Sequence, residues 1–129
     1  MASTSNEKMK ALIVDDETLI RKMHSKLLQI AGFDTQEALN GKEAVDLCSS
    51  GAVFDIIFMD LVMPVMKGPQ ATRLLREMKV ACKIIGVTGQ TEADEIKEFR
   101  EAGLDECLEK PLTHAKISSI IEGLKNTQT

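Results

Sequence analysis

The chain has 129 residues, close to the commonest size of a single domain, with 43% hydrophobic residues, 28% charged residues and a net charge of −4. The acidic balance argues against charge-driven binding to nucleic acid or an anionic membrane. No apolar run approaches the roughly 20 residues that span a bilayer, and the polar start MASTSNEKMK lacks the apolar stretch of a signal peptide.

Cys48, Cys82 and Cys107 are widely spaced, with no C-x-x-C and no zinc pattern, which points to free thiols in a reducing, intracellular setting. Aromatic residues are only 3%, so the core must be built from Ile, Leu, Val, Met and Ala.

Residues 1–8 read as a loose polar lead and residues 126–129 as a tail, leaving a domain over 9–125. Lys10 to Val14 is a short apolar strand that ends in Asp15-Asp16-Glu17. Leu19, Met23, Leu27 and Ile30 then recur at helical spacing, and Gly32 closes that helix. His24 falls between those apolar positions and is expected at the surface or boundary. Phe33 to Ala38 is a half-polar strand, expected near a sheet edge. Asn40 caps a helix carrying Ala44, Val45 and Cys48, which Gly51 ends.

Asp55 to Met59 is a buried strand that stops at Asp60. Behind Gly68, Ala71, Leu74, Leu75 and Met78 fall at i, i+3, i+4 and i+7, a third helix. Cys82 to Val87 is a fourth strand, followed by Thr88-Gly89-Gln90. Thr91 is expected to cap a fourth helix with Ala93, Ile96 and Phe99 on its apolar face, ended by Gly103. Asp105 to Glu109 is a fifth strand leading to Lys110-Pro111. A last helix, with His114 exposed near its start, buries Ile117, Ile120, Ile121 and Leu124.

Five strands alternating with five helices imply parallel strands with right-handed crossovers, hence a single doubly wound α/β domain. Helices on both faces explain the near-continuous apolar strands. In such sheets ligands bind beyond the carboxyl ends of the strands. The polar residues there are Asp15 and Asp16, Asp60, Thr88 and Lys110. If the first and third strands are neighbours, three carboxylates converge and repel unless a cation such as Mg²⁺ neutralises them. Lys110 and Thr88 would then face the same oxygens. That set suits transfer of a phosphoryl group onto a carboxylate, a reaction that needs positioning and charge neutralisation above all. Each residue alone has a plainer reading: an Asp at a strand end is most often a cap, and Lys-Pro a surface turn. The ordered combination carries the inference.

The stretches "LIVDDE", "DIIFMDLVMPVMKG", "IIGVTG" and "CLEKPL" together resemble the receiver domain of two-component response regulators, over roughly residues 9–125. The resemblance implies a flavodoxin-like (βα)5 fold with sheet order 2-1-3-4-5. It makes Asp60 the phospho-acceptor and Thr88 and Lys110 the other catalytic residues. It also makes Asp15, Asp16, Asp60 and the main-chain carbonyl of Val62 the Mg²⁺ ligands. Pro64 and Gly68 would shape the following loop, with glycine supplying backbone angles closed to other residues.

Two positions depart from the family pattern. Cys107 stands three residues before the lysine, where members usually carry an aromatic switch residue, and Gly89 stands where Ala often follows the Thr. "GLDECLEKPLT" and "GVTG" are most similar to the short plant type-C regulators, and no output domain is expected after the last helix.

The function implied is that of a stand-alone, monomeric receiver in the cytoplasm or nucleus. It would take a phosphoryl group from a histidine phosphotransfer protein of a cytokinin-type phosphorelay and hydrolyse it in a Mg²⁺-dependent step. The alternative is a switch whose phosphorylation changes binding by the fourth helix, fifth strand and fifth helix. A receiver cut from a hybrid histidine kinase is disfavoured by Met1 and its short lead. A haloacid-dehalogenase-like phosphatase would want a second Asp where Val62 stands. The partner is expected on the exposed part of the first helix, near Arg21 and Lys22, and on the Pro111 loop. Met59, Met63 and Met66 offer a soft partner surface, although core filling explains Met59 equally well.

Overall fold

A computed structural model describes residues 8–89 and 92–127. Most of the expected lead, the last two residues of the expected tail, Gln90 and the Thr91 cap lie outside the described residues. The elements are β1 (Lys10–Val14), α1 (Thr18–Ile30), β2 (Asp34–Ala38), α2 (Gly41–Ser49) and β3 (Ile56–Met59). They continue with α3 (Gly68–Glu77), β4 (Lys83–Thr88), α4 (Ala93–Glu101), β5 (Glu106–Glu109) and α5 (His114–Thr127). The five strands form one parallel sheet in the order β2-β1-β3-β4-β5. α5 takes in Asn126 and Thr127, so the chain stays helical where a tail is expected.

Alternation along each strand divides the core between two faces. Leu12, Val14, Ile57, Met59 and Ile84 pack with Ala44, Ala71, Leu75 and Phe99 of α2, α3 and α4. Ala11, Ile13, Ile56, Phe58, Ile85 and Val87 pack with Leu28 of α1 and Ile117, Ile120 and Leu124 of α5. Asn40 caps α2 by accepting from the Glu43 N–H, as its position implies. Gly32, Gly51 and Gly103 take positive φ just past α1, α2 and α4, where a left-handed residue ends a helix.

α1 is rotated away from the expected face. Leu19, Met23 and Ile30 are exposed at 81%, 39% and 61%, and of the expected stripe Leu27 alone packs half-buried against the core, while Arg21, His24, Ser25 and Leu28 are buried. Both stripes have helical spacing. The polar stripe faces inward because each of its polar groups finds a partner there. Arg21 meets the Asp15 carbonyl and Glu37, His24 meets the Leu112 N–H, and Ser25 meets Thr35. Ala93 of α4 is likewise exposed, with Phe99 carrying that helix's burial. Met59 and Met63 are buried and fill core, while Met66 is half-buried and packs against the same cluster, so of the three only Met66 keeps any surface.

Arg76, at the end of α3, ties the amino-terminal side of the sheet together. Its guanidinium donates to the carbonyls of Gly103 (2.9 Å), Val80 (2.7 Å) and Cys82 (2.9 Å) and to Asp105 Oδ2 (2.8 Å). Asp105 Oδ2 also accepts from the Ile84 N–H at 2.8 Å. Arg76→Ala is expected to cost about 2 kcal/mol in urea unfolding. Arg76→Lys should recover little of it, because a point charge cannot serve four acceptors spread around a planar fork.

Candidate functional site

The sheet register places the acidic residues. Val14 and Met59 are direct partners across β1 and β3, so the residues after them, Asp15 and Asp60, emerge side by side. The Asp60 N–H donates to the Val14 carbonyl at 3.0 Å, and the Asp15 N–H to the Ala38 carbonyl at 3.2 Å. Asp15 and Asp60 are buried, Asp16 is exposed, and one carboxylate oxygen from each lies within 4.8 Å of the others.

Lys110 follows β5 and reaches across. Its Nζ lies 2.9 Å from Asp15 Oδ2, 3.1 Å from Asp60 Oδ2 and 3.5 Å from Glu17 Oε1. Its own N–H donates to the Thr88 carbonyl at 3.0 Å, tying the ends of β4 and β5. Thr88 is buried at the end of β4. Asp16, Glu17, Asp60, Val62, Thr88 and Lys110 line one cavity of about 370 Å³. The structure therefore brings together every site residue read from the sequence. A larger hollow, about 580 Å³, lies at the amino-terminal side of β3 and β4, with a mainly apolar wall that includes Ala52, Phe54 and Val80.

Three acidic groups, Asp15, Glu17 and Asp60, share one lysine here, with the Asp16 carboxylate close to two of them. Burial, then the charge of Asp15, push the Asp60 carboxyl up to about 6, against the pull of Lys110 and the Leu61 N–H, which donates to Asp60 Oδ1 at 2.8 Å. Burial works against the Lys110 charge, but its hydrogen bonds and attraction to Asp15 and Asp60 outweigh that and raise its pKa. The donor set is all carboxylate oxygen, converging and short of positive charge. It fits a hard divalent cation such as Mg²⁺, and it contains no thiolate or imidazole that would favour a softer one.

The residues supporting this site were misread or missed in the sequence. Arg21, placed on a docking surface by its charge, is 6% exposed; its Nη1 donates to the Asp15 carbonyl at 2.9 Å and its Nε to Glu37 Oε1 at 2.9 Å. It braces the acidic loop and presents no charge to a partner. Lys22 remains exposed, pairing with Glu37. His24 is 2% exposed, contrary to the surface position expected, and its Nε2 accepts from the Leu112 N–H at 3.0 Å. Burial drives its pKa down to about 4, with Lys110 and Lys116 adding to the effect and Asp15 opposing it. The signal that could have found Arg21 and His24 is the 21, 24, 25, 28 spacing, a second helical stripe that carries three polar residues and Leu28.

Gly68 serves a different purpose from the one expected. It is the first residue of α3, its N–H donates to the Leu61 carbonyl at 2.9 Å, and a Cβ there would overlap the Asp60 carbonyl oxygen. Close approach, and no special backbone angle, requires glycine. The left-handed residue of this loop is Val65, at φ 70°. A β-branched residue there carries strain beside the site. Gly89 has open space where a side chain would begin. Cys107 pairs in register with Gly86 and is half-buried, and burial raises its thiol pKa.

Comparison with known proteins was consistent across sequence and structure. The sequence profile of the response regulator receiver domain matches residues 11–122. "Two-component response regulator 24" of Arabidopsis thaliana is 46% identical over 124 residues, covering 96% of this chain and 89% of its own length. "Two-component response regulator ARR22", also of Arabidopsis thaliana, is 48% identical over 118 residues, covering 90% and 83%. Among solved structures, chemotaxis protein CheY4 of Vibrio cholerae superposes with a TM-score of 0.81 at 30% identity, covering 90% of this chain and 98% of that one.

Proposed function

The chain belongs to the response regulator receiver family, and from that membership we propose that Asp60 accepts a phosphoryl group from a phosphohistidine and then loses it to water. The observation that carries this reading is the meeting of Asp60, Asp15, Asp16, Thr88 and Lys110 at one cavity on the carboxyl edge of the sheet.

An Asp60 carboxylate oxygen attacks phosphorus as the histidine N–P bond breaks, and the imidazole nitrogen leaves with the bonding pair. Asp15, Asp16, Asp60 and the Val62 main-chain carbonyl would hold Mg²⁺. Bound there, the ion supplies charge neutralisation between carboxylates and phosphoryl oxygens. Lys110 balances the remaining negative charge, and Thr88 donates its hydroxyl hydrogen to a phosphoryl oxygen. Water then attacks phosphorus, the P–O bond to Asp60 breaks, and the carboxylate returns with inorganic phosphate as product. The open space at Gly89 favours that second step by leaving room for the water. The missing aromatic at Cys107 speaks against the binding-switch alternative.

The two Arabidopsis relatives, both two-component response regulators, support a place in a plant phosphorelay; within it the chain would act as a type-C regulator of the cytokinin type, a sink for phosphoryl groups. The donor is a histidine phosphotransfer protein. It would seat on the outer stripe of α1, where Leu19 and Met23 stand exposed, and on the Pro111 loop. The protein would work as a monomer, in cytoplasm or nucleus. Among the described residues no helix is long and apolar enough to cross a membrane.

A time course of labelled donor mixed with this protein tests the reading. With Mg²⁺ the label should leave the donor quickly and appear as free phosphate, and chelation should stop it. A donor that keeps its label in the presence of Mg²⁺ would reject phosphoryl acceptance. Label held stably on Asp60 would favour the switch.

A further inference from the structure

The Lys110 ammonium bridges Asp15 and Asp60, yet lysine has a long, flexible side chain. Its reach is set by where its backbone is held. Three elements hold that backbone. β4 accepts the Lys110 N–H at the Thr88 carbonyl. α5 donates from Lys116 Nζ to the carbonyls of Glu109, at 2.6 Å, and Pro111, at 3.1 Å. α1 supplies the third anchor, His24 Nε2, which accepts from the Leu112 N–H at 3.0 Å. Leu112 and His24 are both 2% exposed, so no water stands ready to replace that acceptor.

We propose that His24 is a positioning residue for Lys110: by accepting from the Leu112 N–H it locks the Glu109–Leu112 loop, and with it the ammonium, over Asp15 and Asp60. This rests on the receiver reading, in which Lys110 balances charge during phosphoryl transfer. A histidine on a helix's inner face ordinarily satisfies its ring nitrogens on whatever polar group lies nearest. This one instead spans 88 residues of sequence to take the one backbone donor that lies two residues beyond the active lysine. The bond requires a lone pair on Nε2 and therefore the ring proton on Nδ1. The burial that holds the ring uncharged at neutral pH keeps that lone pair available.

The test compares His24→Leu, which keeps bulk without an acceptor, with His24→Gln, whose Oε1 can take the place of Nε2. In the metal-free, donor-free protein, nitrogen–nitrogen coupling across the hydrogen bond is expected between His24 Nε2 and Leu112 N. Leu112 amide exchange should be about tenfold faster or more in His24→Leu and near wild type in His24→Gln. With phosphoramidate as a small donor and Mg²⁺, the maximal rate of Asp60 phosphorylation should fall about tenfold in His24→Leu at little change in donor KM, and His24→Gln should recover most of it.

Unchanged Leu112 protection in His24→Leu would overturn the proposal. So would an unchanged maximal rate, or equal losses in both variants, since those would mark packing alone. If His24→Leu fails to fold, His24→Gln decides: loss of Leu112 protection or of rate with a native spectrum counts against the proposal, and retention of both supports it. Wild type that takes no phosphoryl group from phosphoramidate would reject the receiver reading itself. The exchange and coupling measurements, made without donor or metal, would still decide whether His24 locks the loop.

Discussion

Asp60→Asn is expected to leave the chain unable to accept a phosphoryl group, and in metal-free buffer at pH 7 to stabilise the fold by about 2–3 kcal/mol. Loss of acceptance follows from loss of the nucleophilic carboxylate. The gain in stability follows from the electrostatics. The carboxyl titrates near 6 in the folded protein against 3.8 in its absence, because burial and Asp15 both oppose its charge. A carboxylate whose folded pKa lies above its unfolded one weakens the fold above the folded value and stops doing so below the unfolded one. The stabilisation by Asn should therefore be full above pH 6 and vanish by about pH 4.

His24 shows in the same measurement with the opposite sign. Its folded pKa, near 4, lies below its unfolded value of 6.5, so its contribution is complete above pH 6.5 and is lost as pH falls toward 4. In the wild type the two trends offset each other. In Asp60→Asn the loss through His24 is unmasked, about 3 kcal/mol across that window. Urea unfolding from pH 4 to 8 in a chelator reads both, and the difference between the proteins isolates Asp60 from every other titrating group. Equal stability of the two at pH 7 would contradict the account, and it would mean that Lys110 fully compensates the buried pair.

Gly68→Ala should be the most damaging single methyl in the protein, with a loss of about 4 kcal/mol or more, a large share of the 5–15 kcal/mol typical of a domain. The added carbon would overlap the Asp60 carbonyl oxygen and come within 2.9 Å of Cζ of Phe99, which is wholly buried. Neither neighbour is the loose end of a side chain, so the backbone must shift. The piece that shifts is the peptide of Asp60, so phosphoryl acceptance, as proposed for that residue, should fall with stability. Gly89→Ala is the control: a Cβ there meets nothing within 4 Å, and the expected change is within about 0.5 kcal/mol. A urea midpoint for Gly68→Ala close to that of wild type would mean that the approach of α3 to Asp60 is less tight than the geometry states.

Much of the site could be read directly from the chain because strand-end chemistry is local. An apolar run that stops at a carboxylate marks both the strand and its functional end, and this chain does so at Val14-Asp15 and Met59-Asp60. Glycines at 32, 51 and 103 and the Asn40 cap mark helix boundaries through backbone geometry that needs no tertiary partner. The reading failed on α1, where hydrophobicity alone chose Leu19, Met23 and Ile30 as the buried face.

The sequence by itself therefore determined the alternating α/β architecture, the parallel sheet, and the identity and chain order of Asp15, Asp16, Asp60, Thr88 and Lys110. Periodicity and strand-end polarity are properties of neighbouring residues. Only the tertiary structure decided which stripe of α1 turns inward, why position 68 must be glycine, and that Arg21 and His24 meet the main chain at Asp15 and Leu112. A buried polar side chain is tolerated only where a partner waits, and the partners here are main-chain groups of residues 15 and 112 and the carboxylate of Glu37. Main-chain donors and acceptors look alike at every position of a sequence, so which of them meets a given side chain is settled only when the chain is folded.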